Sequence, residues 1–508
     1  MKIPDAVRKP LLDDRSFNQD RVYDAIYGLA LAVSVSTWFI AVRAPLWLDE
    51  TGSYWQISGG FSKILSRQLI SFPAYSYILW FSTKIIGSSE IALRVPSILA
   101  MLGAVYLLYL AARELFDREI SLIAAIIFCL HPIVIFASID VRPYAFAVLT
   151  TNAAILILLR LRRNDSNGLA ALFGLLAAWI VWFHFLFATI LPALVLCFFI
   201  VKIGDRKALW RQFRVAFAVF LLAFLPVIPG LQSLFHTAGI HVFEADPRPL
   251  DIVLTLVPTL SFLFVAVCIY ILVAATSTQR RKAARRNLIM QIQICLSLAL
   301  IPLLILYGVS ARTSIHTFVP RHRLDAVPGI ALCWAMIFSV IRPRVSRLIA
   351  CVVLVAISAF FSYSSPFSRQ HFYTWKYALE VAEQNASTDG ASVLICSDFP
   401  EADNATMPLD SAKKSPFFSP LSYYRLSVPV VPMPRALNDE AMRVGSRFLQ
   451  EAATKHERFL AVAYKPSYAT LDWLSQSAAA THSVRKLGVF DDIEVLEFVP
   501  RTEAVASR

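Results

Sequence analysis

Through the first 361 residues, apolar positions run in blocks of about 20, long enough to cross a bilayer as a helix. Polar residues are confined to the short segments between the blocks. By that length rule the candidate spans are roughly 24–42, 95–112, 121–138, 143–160, 169–183, 185–201, 213–231, 251–275, 288–309, 324–341 and 345–361, about eleven in all. A twelfth apolar stretch, Phe72–Ile86, is short and rich in aromatic residues. After Phe361 the pattern changes. Residues 362–508 mix polar and apolar positions. Short apolar runs at Ser392–Cys396 and Phe459–Ala463 read as buried strands. A helix over Gln370–Ala386 precedes the first of them, and Pro408–Pro434 reads as a proline-rich loop. The expected fold is a polytopic α-helical membrane protein of about 11 spans with juxtamembrane helices and a small C-terminal α/β domain. The expected domains are 1–361, with 43–94 as an exterior loop, and 362–508.

The distribution of basic residues orders the loops. With Phe72–Ile86 lying in the interface and the N-terminus inside, the cytoplasmic segments are 1–21, 113–120, 160–168, 202–214, 279–287 and 342–347. These hold about 23 Lys and Arg in about 66 residues, against about 10 in about 90 for the short exterior segments. If Phe72–Ile86 crosses instead, every later loop changes side, and Arg280–Lys282 and Lys202–Arg214 fall outside. The first assignment is the better one. It makes 53–90 a set of juxtamembrane helices whose Trp and Tyr suit the headgroup region. It also places the C-terminal domain on the exterior, and no internal repeat divides the chain.

Composition agrees. Of 508 residues 57% are hydrophobic and only 16% charged, and mean hydropathy is +0.60. A net charge of +13 is accounted for by basic loops facing anionic lipid, and no basic stripe interleaved with aromatics points to nucleic acid. Six of the seven cysteines lie in apolar runs, and only Cys396 lies in a polar region. Without a CxxC pair, neither a disulfide framework nor a cysteine metal site is expected. The first apolar run has no evident cleavage site and reads as a retained span.

Against that apolar background the polar residues at the exterior ends of spans stand out, because charge near hydrocarbon is costly. Asp49 and Glu50 follow the first span in Ala44–Ser53. Carboxylates there can take a proton from a nucleophile or hold a divalent cation; the plain alternative is a pair of solvated loop acids. In Ser138–Ala145, Asp140 ends one span, while Arg142, Pro143 and Tyr144 open the next. Asp140 can cap that helix, bind a hydroxyl or a metal, or orient Arg142. Arg321, His322 and Arg323 open the tenth span, where guanidinium forks suit phosphate oxygens; snorkelling to lipid headgroups uses the same physics. His184, between aromatic-flanked spans, reads first as a packing residue.

At these residues the chain resembles the polytopic GT-C glycosyltransferases that use polyprenyl-phosphate sugars. The resemblance is to the bacterial branch related to protein O-mannosyltransferases and lipid A aminoarabinose transferases, including rhizobial lipopolysaccharide galacturonosyltransferases. It rests on Leu46–Thr51, Ser71–Ile78, Ser89–Ser97 (with Arg94), Ala112–Arg118, His131–Ala145 and Pro320–Gly329. It implies an inverting transferase in which Asp49 deprotonates an acceptor hydroxyl. Glu50 and Asp140 position the acceptor or hold a divalent cation, should one be used. Arg321, Arg323 and Arg142 receive the lipid phosphate, and Tyr144, His184, His322 and Arg94 are candidate substrate-binding residues. Relatives more often have Arg-Tyr where this chain has Arg-His-Arg, so the choice between Arg321 and Arg323 stays open. The implied partners are a polyprenyl-phosphate-linked sugar, membrane lipids and a glycolipid, glycan or protein acceptor. Lipopolysaccharide, lipid A and cell-wall glycan are the leading acceptors. The implied location is the bacterial inner membrane. A flippase of lipid-linked sugars explains the spans but not acids and bases gathered on one face; a lipid-linked glycan ligase is the other alternative.

Overall fold

A computed structural model describes residues 10–67, 73–202, 206–237, 246–257, 259, 262, 283–313, 317–364, 375–399 and 415–501. The polypeptide forms two compact units. The helical unit comprises Met1–Val42, Arg94–Phe235 and Val242–Arg369; the sheet unit comprises Arg43–Leu93, His236–His241 and Gln370–Arg508. Residues 43–93 therefore group with the C-terminal sheet.

The chain is an integral, multi-pass membrane protein. Among the described residues seven helices are long and apolar enough to cross a membrane: Asp20–Ala41, Glu90–Arg113, Tyr144–Leu161, Phe185–Lys202, Arg206–Gln232, Asn287–Arg312 and Arg344–Ser364. A further apolar pair, Arg118–Leu130 with Pro132–Ile139, is bent by 69° and forms either a broken eighth span or a re-entrant loop. The break falls at His131-Pro132. Proline cannot donate the helical hydrogen bond and clashes with the preceding turn, and the His131 ring instead accepts from Ile133 N–H at 3.3 Å. The expected spans 169–183 and 324–341 appear as the shorter helices Asn167–Phe183 and Val327–Phe338. Most of 251–275 lies outside the described residues. Close helix approach rests on small residues: a Cβ at Gly174 would sit 2.0 Å from the Ala216 carbonyl oxygen, and one at Gly329 2.3 Å from Ala299 N.

The segments expected on the cytoplasmic side meet at one end of the helical unit. Glu119 accepts from Arg344 at 2.6 Å and from Arg347, and Arg344 also reaches Asp20 at 2.7 Å. Glu114 pairs with Arg163 at 3.4 Å and Arg160 at 3.9 Å. Asp165 is held by Gln212 at 2.7 Å and by Arg211, and Arg162 donates to Asn287 at 3.3 Å. These contacts link 1–21, 113–120, 160–168, 202–214, 279–287 and 342–347 into one polar layer. Individually such pairs contribute little; their common position is the informative part.

In the sheet unit five strands, β1 (Ser392–Cys396), β2 (Val430–Met433), β3 (Phe459–Tyr464), β4 (His482–Phe490) and β5 (Ile493–Pro500), lie in the order β2-β1-β3-β5-β4. β1 is parallel to β2 and β3, whereas β5 is antiparallel to β3 and β4. Side chains alternate between faces. Val393, Ile395, Leu460 and Val462 pack with Trp375 and Leu379 of the Trp375–Ala386 helix. Leu394, Cys396, Ala461 and Phe459 pack with Leu449 and Leu474 from helices Asp439–Lys455 and Tyr468–Ala478. Arg458, just before β3, ties the layers together. It donates to both Asp389 oxygens at 2.9 and 2.6 Å, to the Asn385 carbonyl at 2.6 Å and to Glu497 of β5. Glu497 is buried and also accepts from Arg485 at 2.7 Å. Removing Arg458 leaves a buried carboxylate half-paired, so Arg458→Ala should destabilise the sheet unit by about 2–3 kcal/mol. The check is a lower thermal unfolding midpoint for the full-length protein.

Candidate active site

The expected site residues fall into two sets, one in each unit. In the sheet unit, the Leu48–Ser58 helix begins after an extended Trp47, and both acids lie in its first turn, where they complement the helix dipole. The two are not equivalent. Glu50 is fully buried and its carboxylate accepts from Trp47 N–H at 3.2 Å, the acidic half of a capping box. Asp49 is partly exposed. Glu50 thus sets the start of the helix, and Asp49 is the more accessible of the two acids.

In the helical unit, Asp140 and Arg94 are fully buried. The Asp140 carbonyl accepts from Ser97 at 2.7 Å, and Arg94 donates to the Val42 carbonyl at 2.7 Å. Tyr144, His184 and His322 come together from three separate segments. Ring centroids lie 4.8 Å apart for Tyr144–His184, 5.6 Å for His184–His322 and 6.4 Å for Tyr144–His322. Arg142 and Arg321 both lie within electrostatic reach of the two histidines. Burial and the Arg321 guanidinium push His322 down to about 3, so its ring is neutral; Nδ1 is held by the Thr317 carbonyl at 2.9 Å. Two guanidiniums, two imidazoles and a phenol thus gather in the helical unit, a set of groups chemically suited to an anion with several acceptor oxygens. His184, read from sequence as packing, belongs to this group.

Arg323 points elsewhere. Its guanidinium donates to Thr255 Oγ1 at 2.7 Å and the Asp251 carbonyl at 3.0 Å, and it stacks 4.6 Å from the Phe318 ring centroid. Arg323 fastens the Pro320–Ala326 turn to the Pro249–Leu256 helix, and Arg321 is the arginine of the cluster. Among the described residues, no group of three His, Cys, Asp or Glu side chains could hold a metal ion.

Two acids escaped the sequence reading. Asp325 is buried and accepts from Thr189 Oγ1, joining the turn that carries Arg321 and His322 to the Phe185–Ile190 turn that follows His184. Asp398 follows β1 by two residues, beyond the carboxyl ends of parallel strands, a place where α/β sheets commonly bind ligands. That position was a usable signal. Asp398 is buried beside Trp375, and Asp49 and Arg435 lie within electrostatic reach.

Comparisons with known proteins bear on the fold. Residues 71–231, about a third of the chain, match the family described as dolichyl-phosphate-mannose-protein mannosyltransferase. ArnT from Cupriavidus metallidurans, solved bound to undecaprenyl phosphate, superposes with a TM-score of 0.57 at 13% identity, covering 92% of this chain and 97% of its own. The chain has an ArnT-like fold. The apo form of ArnT gives the same TM-score at 14% identity and the same coverages. The archaeal oligosaccharyltransferase AglB from Archaeoglobus fulgidus, solved with an inhibitory peptide and a dolichol phosphate, gives 0.51 at 13% identity, covering 96% of this chain and 75% of its own. No curated protein sequence matches the chain.

Burial, opposed by Trp375 and Arg435 and reinforced by the Asp49 charge, raises the Asp398 carboxyl to about 7. A carboxyl raised on folding contributes stability that is full below its unfolded value and is lost as pH rises toward the folded value. Thermal stability of the ArnT-like chain should therefore fall between about pH 4 and pH 7. Asp398→Asn should flatten that decline in a series of melts across this range.

Proposed function

We propose that the protein is an integral-membrane glycosyltransferase that moves a single sugar from a polyprenyl-phosphate donor to an acceptor hydroxyl. The observation that carries this reading is the grouping of Arg142, Arg321, His184, His322 and Tyr144 in the helical unit. That grouping offers charge-assisted and neutral donors to a lipid phosphate. The ArnT-like fold and the mannosyltransferase-type match over 71–231 support it. In this reading residues 1–361 form the membrane catalytic domain in a bacterial inner membrane with the N-terminus cytoplasmic, and 362–508 form an exterior domain. Acceptors of the lipopolysaccharide, lipid A or cell-wall glycan class fit that location.

The chemistry is a single displacement. Asp49 takes the proton from the acceptor hydroxyl, whose oxygen attacks the anomeric carbon in line. The bond from that carbon to the phosphate oxygen breaks, and the phosphate leaves with the electron pair. Configuration inverts, and no covalent sugar–enzyme intermediate forms. Arg321 and Arg142 stabilise the charge that develops on the leaving phosphate. Glu50 holds the Asp49 helix in register, and Asp140 serves as the second acid of the membrane part.

The test is transfer from polyprenyl-phosphate sugars in membranes holding wild type or Asp49→Asn at equal expression. Donor consumption and labelling of extracted glycolipid or protein are followed. Loss of a general base predicts a fall of about 10²- to 10⁴-fold; equal turnover removes Asp49 from catalysis. Arg321→Ala should lower donor kcat/KM by about 10²-fold. Donor movement across the bilayer without turnover would establish a flippase in its place.

A further inference from the structure

The C-terminal domain carries no recognisable motif, yet residues 419–424 attach to the acidic loop at four points within the sheet unit. Leu46 N–H donates to Tyr424 Oη at 2.7 Å. Tyr424 Oη in turn donates to Glu90 Oε1 at 2.9 Å, an oxygen that Lys376 Nζ approaches at 3.4 Å. Thr51 Oγ1 and Ser419 Oγ share a hydrogen bond of 2.9 Å. Tyr423 Oη donates to the Ser88 carbonyl at 3.0 Å, and its ring stands edge-on to Tyr54 at 4.9 Å. Asp49 lies between the anchors at Leu46 and Thr51.

The attachments are rooted in packed structure. Phe418 and Leu421 belong to the core that contains Trp375, Val393 and Ile395 of the sheet and its covering helix. Tyr424 Oη accepts once and donates once, so its hydrogen-bonding capacity as a bridge is used. Burial and the Glu90 carboxylate raise the phenol well above its ordinary value, so it stays neutral wherever the protein works. The Leu46 amide lies just before the capping box that starts the Asp49 helix, a point where a backbone shift carries directly into the placement of the Asp49 carboxylate. General-base catalysis tolerates little misplacement: about 1 Å can cost about 10²-fold in rate.

We infer that Tyr424 is a positioning residue for the transfer reaction, by which the C-terminal domain fixes the loop that carries Asp49. The inference rests on the proposed transferase reading. It makes the exterior domain part of the catalytic apparatus, with the sheet core as the rigid support.

The test uses full-length protein carrying Tyr424→Phe, which keeps the ring and removes the hydroxyl. Turnover of a polyprenyl-phosphate sugar and amide hydrogen exchange over Leu46–Thr51 are both measured. The expected result is a kcat lowered by about 10- to 100-fold with donor KM within about twofold, and faster exchange over Leu46–Thr51. A disulfide introduced by Thr51→Cys with Ser419→Cys, where the native hydroxyls touch, should restore kcat in the Tyr424→Phe background and lose that rescue on reduction. A wild-type kcat in Tyr424→Phe overturns the inference. A loss of activity that follows loss of folded protein and is not recovered by the cross-link also overturns it. Should wild type transfer no sugar, the transferase reading fails, and the exchange rates still report separately whether Tyr424 fixes the loop.

Discussion

A charge moved into hydrocarbon costs several kcal/mol unless it is paired or reaches water, and the layout of this chain follows from that constraint. With 57% hydrophobic residues, charged groups have few places to go. In the helical unit Asp20, Glu114, Glu119, Asp165 and their arginines collect in one polar layer. Asp140, Arg142 and Arg321 stand apart from that layer, at or next to apolar helices. Arg142 and Arg321 lie within electrostatic reach of His184 and His322, which gather with Tyr144. Spending buried polar groups in this way has a use when the ligand is itself an anion on a lipid.

The same economy separates residues that look alike in sequence. Asp49 and Glu50 are neighbours, yet a helix start needs its free N–H groups satisfied. Glu50 at the third helical position does that for Trp47, while Asp49 keeps partial exposure. Arg321 and Arg323 divide in the same manner: one stands by the histidines, the other satisfies the Asp251 carbonyl and Thr255. In each pair one residue supplies structure, and the other is the one the proposed transfer uses.

Much of this was legible from residues alone. Span lengths, the grouping of six basic segments, and strands β1 and β3 follow from local apolar pattern and charge, which are written contiguously. Arg142 and Arg321 were visible because arginine at the mouth of an apolar run is costly. The 69° break was signalled only by His131-Pro132. β4, with mostly exposed side chains, lacks the apolar signature that marks β1. Tyr424, one tyrosine among 17, gives no local sign that it meets Leu46 across 378 residues. Asp325 and Asp398 were missed for the same reason: a lone acid shows its importance only once burial and neighbours are known.

The claim that the cationic cluster receives a lipid phosphate is tested most directly by binding of undecaprenyl phosphate to the purified protein, with undecaprenol as the competitor that lacks only the phosphate. Saturable binding of the phosphate form that undecaprenol does not displace is the predicted result. Equal affinity for the two lipids would contradict it, because binding would then rest on the apolar chain and owe nothing to Arg142 and Arg321.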